Sequence, residues 1–101
     1  VTGDKRSPQV PELPTVAEAG LPGYAVTAWF GLLAPAGTSP EIVNRISAEI
    51  QKGFKTPQMR ERFSALGAEP VGGSPEQFAT FLKVEMAKWA KLVKSAGIKA
   101  E

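Results

Sequence analysis

Residue types that usually perform chemistry at neutral pH are scarce in this sequence. Its 101 residues include neither histidine nor cysteine, which removes the usual general base, the commonest metal ligands and the thiol nucleophile. An enzyme would have to rely on carboxylates or lysines alone. The composition therefore predicts a protein that is not an enzyme, and we expect it to hold no metal and no cofactor.

Two turns that lead into helix starts are the first candidates for an anion site. "PAGTSPE" (35–41) and "VGGS" (71–74) would each place backbone N–H groups at a helix N-terminus, where an anion can bind. Neither contains the glycine pattern of a nucleotide-binding loop. A hydroxyl residue followed by proline is a typical capping sequence, so we interpret both turns mainly as scaffold.

An aromatic pair, Trp29 and Phe30, lies in the apolar stretch "AVTAWFGLLAPAG" (25–37). Adjacent residues of a strand point to opposite faces, so one ring can face a cleft while the other is buried. For either ring, however, we favour a position in the core. Trp89 and Glu85 lie on or near the apolar stripe of the last helix. For these we favour a core position for the tryptophan and a rim position for the carboxylate.

The bulk composition excludes some classes of partner. Twelve basic and ten acidic residues give a net charge of +2, which is too small an excess to predict nucleic-acid binding. No apolar run approaches the ~18 residues of a membrane-spanning helix. Hydrophobic residues make up 43% of the chain, as in an ordinary globular domain.

The first third of the sequence predicts a connector and one strand. Residues 1–23 are rich in proline, which favours extended backbone, and the Thr15/Glu18 capping box predicts a short helix there. Residues 24–33 are almost continuously apolar. Such a run is typical of a strand that is covered on both faces, as in α/β sheets.

The remaining sequence predicts three helices that begin with the same capping sequence. A serine or threonine at the N-cap is followed each time by proline, which gives helices at about 40–54, 57–66 and 75–96. Their apolar residues recur at spacings of three and four. The lysines of the last helix lie off its apolar stripe, and we expect them to form a solvated face.

Read together, these segments resemble one family along essentially the whole chain. "KRSP", "LPTVAEAG", "WFGLLAPAGTSPE", "GAEPVGGSPEQF" and "KWAKLVKSAGI" are similar, in this order, to the carboxy-terminal part of the Bug/TctC proteins. These are extracytoplasmic solute-binding proteins of tripartite tricarboxylate transporters.

The resemblance implies an α/β fold: a carboxy-terminal fragment of a two-lobed, type II-like periplasmic binding protein, with one main strand and three main helices. Residues 1–23 would connect the lobes and residues 24–101 would complete the first lobe. The full-length protein would be periplasmic, and it would bind a small carboxylate without chemistry and deliver it to membrane permease subunits. Trp29, Phe30 and Gly31 are the residues that could approach the ligand.

A second interpretation remains open at this point. The chain could be a small free-standing domain that uses its helices for protein interaction. In either case an apolar strand without sheet partners exposes unpaired edges, so we expect the fragment to self-associate.

Overall fold

A computed structural model describes residues 1–99 and contains three α-helices in that part of the chain. They are α1 (Pro40–Phe54), α2 (Pro57–Ala65) and α3 (Pro75–Ser95). Contacts divide the chain into two compact units, Val1–Leu33 and Ala34–Glu101, and all three helices belong to the second unit. How either unit would be placed within a two-lobed protein stays a prediction.

The three predicted helix starts are confirmed. Ser39, Thr56 and Ser74 each accept a hydrogen bond from the backbone N–H three residues later, and each is followed by proline. The hydroxyl satisfies a donor that the helix cannot pair, and proline lacks a donor at that position. At α3 the Gln77 side chain also accepts from the Ser74 N–H at 2.8 Å, which completes a capping box.

Glycines end α2 and α3 one residue earlier than predicted. Gly67 and Gly97 have φ of 68° and 66°, a left-handed conformation that costs glycine little. Behind each glycine the chain folds back, so that Ala68 N–H donates to Phe63 O at 2.9 Å and Ile98 N–H donates to Val93 O at 3.1 Å. This is the Schellman arrangement, and it pairs carbonyls that the helix end leaves free.

The end of α1 is the packing centre of the helical unit. The rings of Phe54 and Phe63 meet edge to face, with centroids 5.2 Å apart. A Cβ at Gly72 would lie 3.1 Å from the Phe54 ring, so the turn before α3 passes directly over that ring. Phe54 therefore links α1, α2 and the loop leading to α3.

Most apolar side chains of residues 1–99 remain accessible to solvent. Thr15 is the one buried residue in this part of the chain, at 2% exposure, and none of its large apolar side chains is buried. The expectation of a core position for Trp89 was wrong, because the ring is 38% exposed. Every residue from 86 to 99 is exposed, so no described element covers that half of α3. None of the described helices is long and apolar enough to cross a membrane.

The predicted strand at 24–33 is absent. The described residues contain no strand, and the extended segment makes one backbone bond to residues 1–2, from Val26 N–H to Thr2 O at 2.7 Å. A strand needs a ladder of such bonds with a neighbour. The predicted burial is not observed either: within residues 24–33 only Ala25 and Val26 are half-buried, and the other residues are exposed. The apolar run could not supply the neighbouring segment that would cover it.

The short helix predicted within the connector is also absent, although its capping box has formed. Thr15 N–H donates to the Glu18 carboxylate at 2.9 Å, and Glu18 N–H donates to the Thr15 hydroxyl at 3.1 Å. The backbone makes only a turn over residues 16–20, because Gly20 ends it after one turn with φ of 126°. The hydrogen bond from Thr15 N–H, aided by the Arg6 guanidinium at 2.9 Å, lowers the pKa of Glu18.

This capping box makes the first unit sensitive to acid. Because the pKa of Glu18 is lower in the folded unit than its ordinary value of 4.5, the carboxylate stabilises the fold above that pH, and this is lost as the pH falls through the folded pKa. Amide NMR of residues 1–33 should show loosening below about pH 4.5. Glu18→Gln should remove this dependence, whereas Arg6→Gln should reduce it only in part, since the Thr15 N–H remains.

Candidate functional site

The segment that carries the candidate ligand residues is anchored at one end. Val1 O accepts from Val16 N–H at 2.9 Å, and Thr2 O accepts from Val26 N–H at 2.7 Å. The amino terminus also donates to Pro14 O at 2.6 Å. These bonds hold residues 1–2 between the turn and the extended segment, so that Ala25 and Val26 are half-buried.

Beyond this anchor the segment becomes accessible to solvent. Phe30 is 97% exposed and Trp29 is 39% exposed, and Gly31 is exposed as well. The core position that we favoured for the two rings was therefore wrong. Within residues 1–99, the backbone N–H groups of Phe30 and Gly31 donate no hydrogen bond. The three candidate residues are thus consecutive and accessible, with two free donors among them.

This arrangement offers an apolar ring beside backbone donors. Carboxylate oxygens accept N–H hydrogen bonds, and glycine lets a ligand approach the backbone closely. Residues 28–33 contain no cationic side chain. Arg6, one of the two basic residues of this unit, is bound to Glu18 at 2.9 Å and to Pro11 O at 3.2 Å. The segment could therefore line part of a site, but it cannot supply all the contacts that an anion needs.

The hydroxyl groups of the two turns are used locally. The Thr38 hydroxyl donates to Pro35 O at 2.8 Å, and Ser39 caps α1. At α3, Ser74 and Gln77 satisfy each other. The pKa of Glu76 is lowered by a hydrogen bond from its own N–H and by the Ser74 hydroxyl, so its carboxylate already lies at this helix start. These contacts agree with the scaffold interpretation.

Sequence reasoning missed an apolar groove beside α1. The groove has a volume of about 480 Å³ and is lined mainly by Ile46, Ile50, Phe54 and Met59, with Arg45 and Glu49 also on its wall. One cation and one anion cancel, so the groove has no charge preference for a carboxylate. The spacing of Ile42, Ile46 and Ile50 predicts an apolar stripe on α1, but it does not show which part of the stripe the neighbouring helices leave uncovered.

Glu85 and Trp89 form a local cluster on α3. The indole N–H of Trp89 donates to one oxygen of Glu85 at 2.9 Å, and the Lys88 ammonium binds the other at 3.2 Å. The Glu85 side chain is 14% exposed, close to the rim position that we favoured. No group of three potential metal ligands occurs among residues 1–99.

Comparison with known proteins gives a consistent result. The model of the tripartite tricarboxylate transporter family receptor, TctC, matches residues 1–98. A protein encoded in the tcbD-tcbE intergenic region of Pseudomonas sp. (strain P51) is 46% identical over 94 residues. BugT of Bordetella pertussis is 34% identical over 99 residues.

Two solved structures are similar to this chain over almost its whole length. The R. palustris protein Rpa4515 with adipate is 40% identical, covers 95% of the chain and has a TM-score of 0.80. The periplasmic binding protein BugD is 36% identical, covers 99% and has a TM-score of 0.81.

The chain spans only about a third of these proteins. It covers 28% and 30% of the two curated relatives and 32% and 34% of the two solved chains.

Proposed function

The chain belongs to the tripartite tricarboxylate transporter receptor family, and from this membership we propose that it forms the carboxy-terminal part of a periplasmic receptor for a small carboxylate. One observation carries the proposal: the chain is similar in sequence and backbone to a solved protein that holds adipate. At 40% identity and a TM-score of 0.80, related binding chemistry is the simplest expectation.

The receptor would bind its ligand without chemistry and pass it to membrane permease subunits. Binding without catalysis agrees with the residue types present, since the sequence contains neither histidine nor cysteine. The expected ligand is a small acid with one or more carboxylates.

Phe30 and Gly31 would contribute one wall of the ligand site. The Phe30 ring is almost completely exposed and could pack on the methylene groups of a dicarboxylate. The free N–H groups of Phe30 and Gly31 could donate to a carboxylate oxygen. Trp29 would point to the opposite side of the extended segment and support it.

Capture of a dicarboxylate needs several convergent donors, because binding must offset a large loss of ligand freedom. The first unit provides two such donors, and its Arg6 is already paired. We therefore place the other contacts in parts of a family-length protein that these 101 residues do not include.

The alternative, a free-standing domain that uses its helices for protein interaction, stays a prediction. Self-association was predicted from the edges of a strand that is absent, but exposed apolar residues still support it. Leu32 and Leu33 are each 77% exposed, and Val71 is 89% exposed. The adjacent Leu32 and Leu33 are where a second copy or a partner protein could bind. Family membership favours a receptor in which the remaining chain covers these residues. Sedimentation of the 101 residues alone would show whether they self-associate when that remaining chain is missing.

A chimera tests the proposed function. These 101 residues would replace the matching segment of the adipate-bound R. palustris protein, and adipate would be titrated by calorimetry. We expect the chimera to bind adipate, and we expect the 101 residues alone to bind it with a Kd above about 1 mM. A folded chimera that does not bind would contradict the proposal, and tight binding by the 101 residues alone would place the whole site within them.

A further inference from the structure

The charge of this chain is concentrated near its carboxy terminus. Residues 83–99 contain five lysines and one glutamate, a net charge of +4, whereas the whole chain carries +2. The other residues together therefore carry −2. Residues 86–99 contain no acidic residue at all, so the positive charge of this stretch is not neutralised along the sequence.

Helix α3 gathers most of these lysines on one side. At about 100° per residue, Lys83, Lys91 and Lys94 fall within roughly a quarter turn of one another, and all three are exposed. The half-buried Phe78 and Leu82 lie on the opposite side. From Lys83 to Lys94 the helix rises about 16 Å. We name these three residues the lysine face.

Lys88 is not part of this face. Its ammonium binds Glu85 at 3.2 Å and lies 5.3 Å from the centre of the Trp89 ring. Its charge is therefore compensated on α3 itself, and it borders the apolar side of the helix.

We propose that the lysine face holds the protein against an anionic bilayer surface. Lysine presents a flexible point charge, whereas arginine matches the fixed geometry of a carboxylate with two parallel hydrogen bonds. Three lysines in an open row, with no arginine among them, fit mobile lipid phosphates better than the ordered carboxylates of a protein partner. Each lysine near an anionic bilayer strengthens binding severalfold.

The inference goes beyond the proposed function, because it concerns where the protein sits and not what it carries. A receptor that serves a membrane transporter would gain by staying at the membrane surface, where its encounters with the transporter become more frequent. The lysine face belongs to the helical unit, whereas the proposed ligand residues belong to the first unit. The two proposals can therefore fail separately.

Vesicle binding tests the proposal with the 101-residue chain. The probes are vesicles of one-third phosphatidylglycerol in phosphatidylcholine and vesicles of phosphatidylcholine alone. We expect binding to the anionic vesicles at low salt, weaker binding at about 150 mM salt, and little binding to the neutral ones. Replacing Lys83, Lys91 and Lys94 together by glutamine should weaken binding to the anionic vesicles about 100-fold.

A matched control variant separates the effect of where the lysines lie from the effect of the net charge. Lys5→Gln, Lys52→Gln and Lys55→Gln together also remove three positive charges, so both triple variants have a net charge of −1 from the original +2. We expect this control to bind within about threefold of the unchanged chain. Glutamine and lysine have similar helix propensities, and circular dichroism would verify that both variants keep their helices.

Four outcomes would overturn the proposal. They are no binding to anionic vesicles at low salt, equal binding to neutral vesicles, equal losses in the two triple variants, and binding to polyglutamate without binding to vesicles. The last result would indicate an acidic protein as the partner. Adipate is absent from these measurements, so none of them bears on carboxylate binding.

Discussion

Phe30→Ala is expected to weaken adipate binding about 30-fold in the chimera with the R. palustris protein. The ring is 97% exposed in these 101 residues, so a ligand that covers it removes nearly the whole apolar surface of the side chain from water. Burying a phenylalanine contributes about 2 kcal/mol, and each 1.4 kcal/mol is tenfold in affinity. Calorimetric titration measures the loss directly.

Trp29→Ala is the informative comparison, because it alters the adjacent residue on the other side of the segment. Trp29 is 39% exposed, and we expect Trp29→Ala to weaken adipate binding less than Phe30→Ala does. Phe81→Ala, which removes a ring from the helical unit, should leave the affinity unchanged. A larger loss for Trp29→Ala than for Phe30→Ala would show that the opposite face of the segment lines the cleft.

Local sequence signals predicted the helices well, because everything that fixes a helix start lies within four residues. The hydroxyl at Ser39, Thr56 or Ser74, the following proline and the N–H that is capped are neighbours in the chain. The signals that end α2 and α3 are equally local, because each is a single glycine just beyond the helix. The ends of α2 and α3 were misplaced by one residue, which is the usual uncertainty where a helix gives way to its cap.

The strand prediction failed because a strand is not a local structure. Residues 24–33 have the composition of a covered strand, yet its hydrogen bonds must come from another segment. In residues 1–99 the segment donates one backbone hydrogen bond to residues 1–2, from Val26 N–H to Thr2 O. The prediction for Trp89 failed for the same reason, since the periodicity of α3 identifies an apolar side without showing that anything covers it.

For the candidate site, the sequence predicted which three residues belong to it, but not their exposure or their hydrogen bonds. The aromatic pair and Gly31 were identified from residue type and from the family resemblance, and the structure adds their exposure and their free N–H groups. The groove beside α1 was missed, because it depends on how α1 and α2 pack. No pattern within either helix contains that information.

Phe54→Ala is expected to destabilise the helical unit by about 2–3 kcal/mol. The ring meets Phe63 edge to face at 5.2 Å and lies against the turn at Gly72. A fully buried phenylalanine would cost 3–5 kcal/mol, and the partial exposure of Phe54 reduces this value. All three described helices belong to this unit, so urea denaturation followed by helical circular dichroism reports its stability. Leu66→Ala, which truncates a side chain that is 80% exposed, should cost less than about 0.5 kcal/mol.

A double-mutant cycle then isolates the contact between the two rings. If the edge-to-face geometry contributes beyond the loss of buried area, Phe54→Ala and Phe63→Ala together should cost about 1 kcal/mol less than the sum of the single changes. The remaining loss at Phe54 would come from its other contacts, among them the turn at Gly72. Strict additivity would mean that the rings are only neighbours, and that α2 is held by the short turn between Phe54 and Pro57 instead of by this contact.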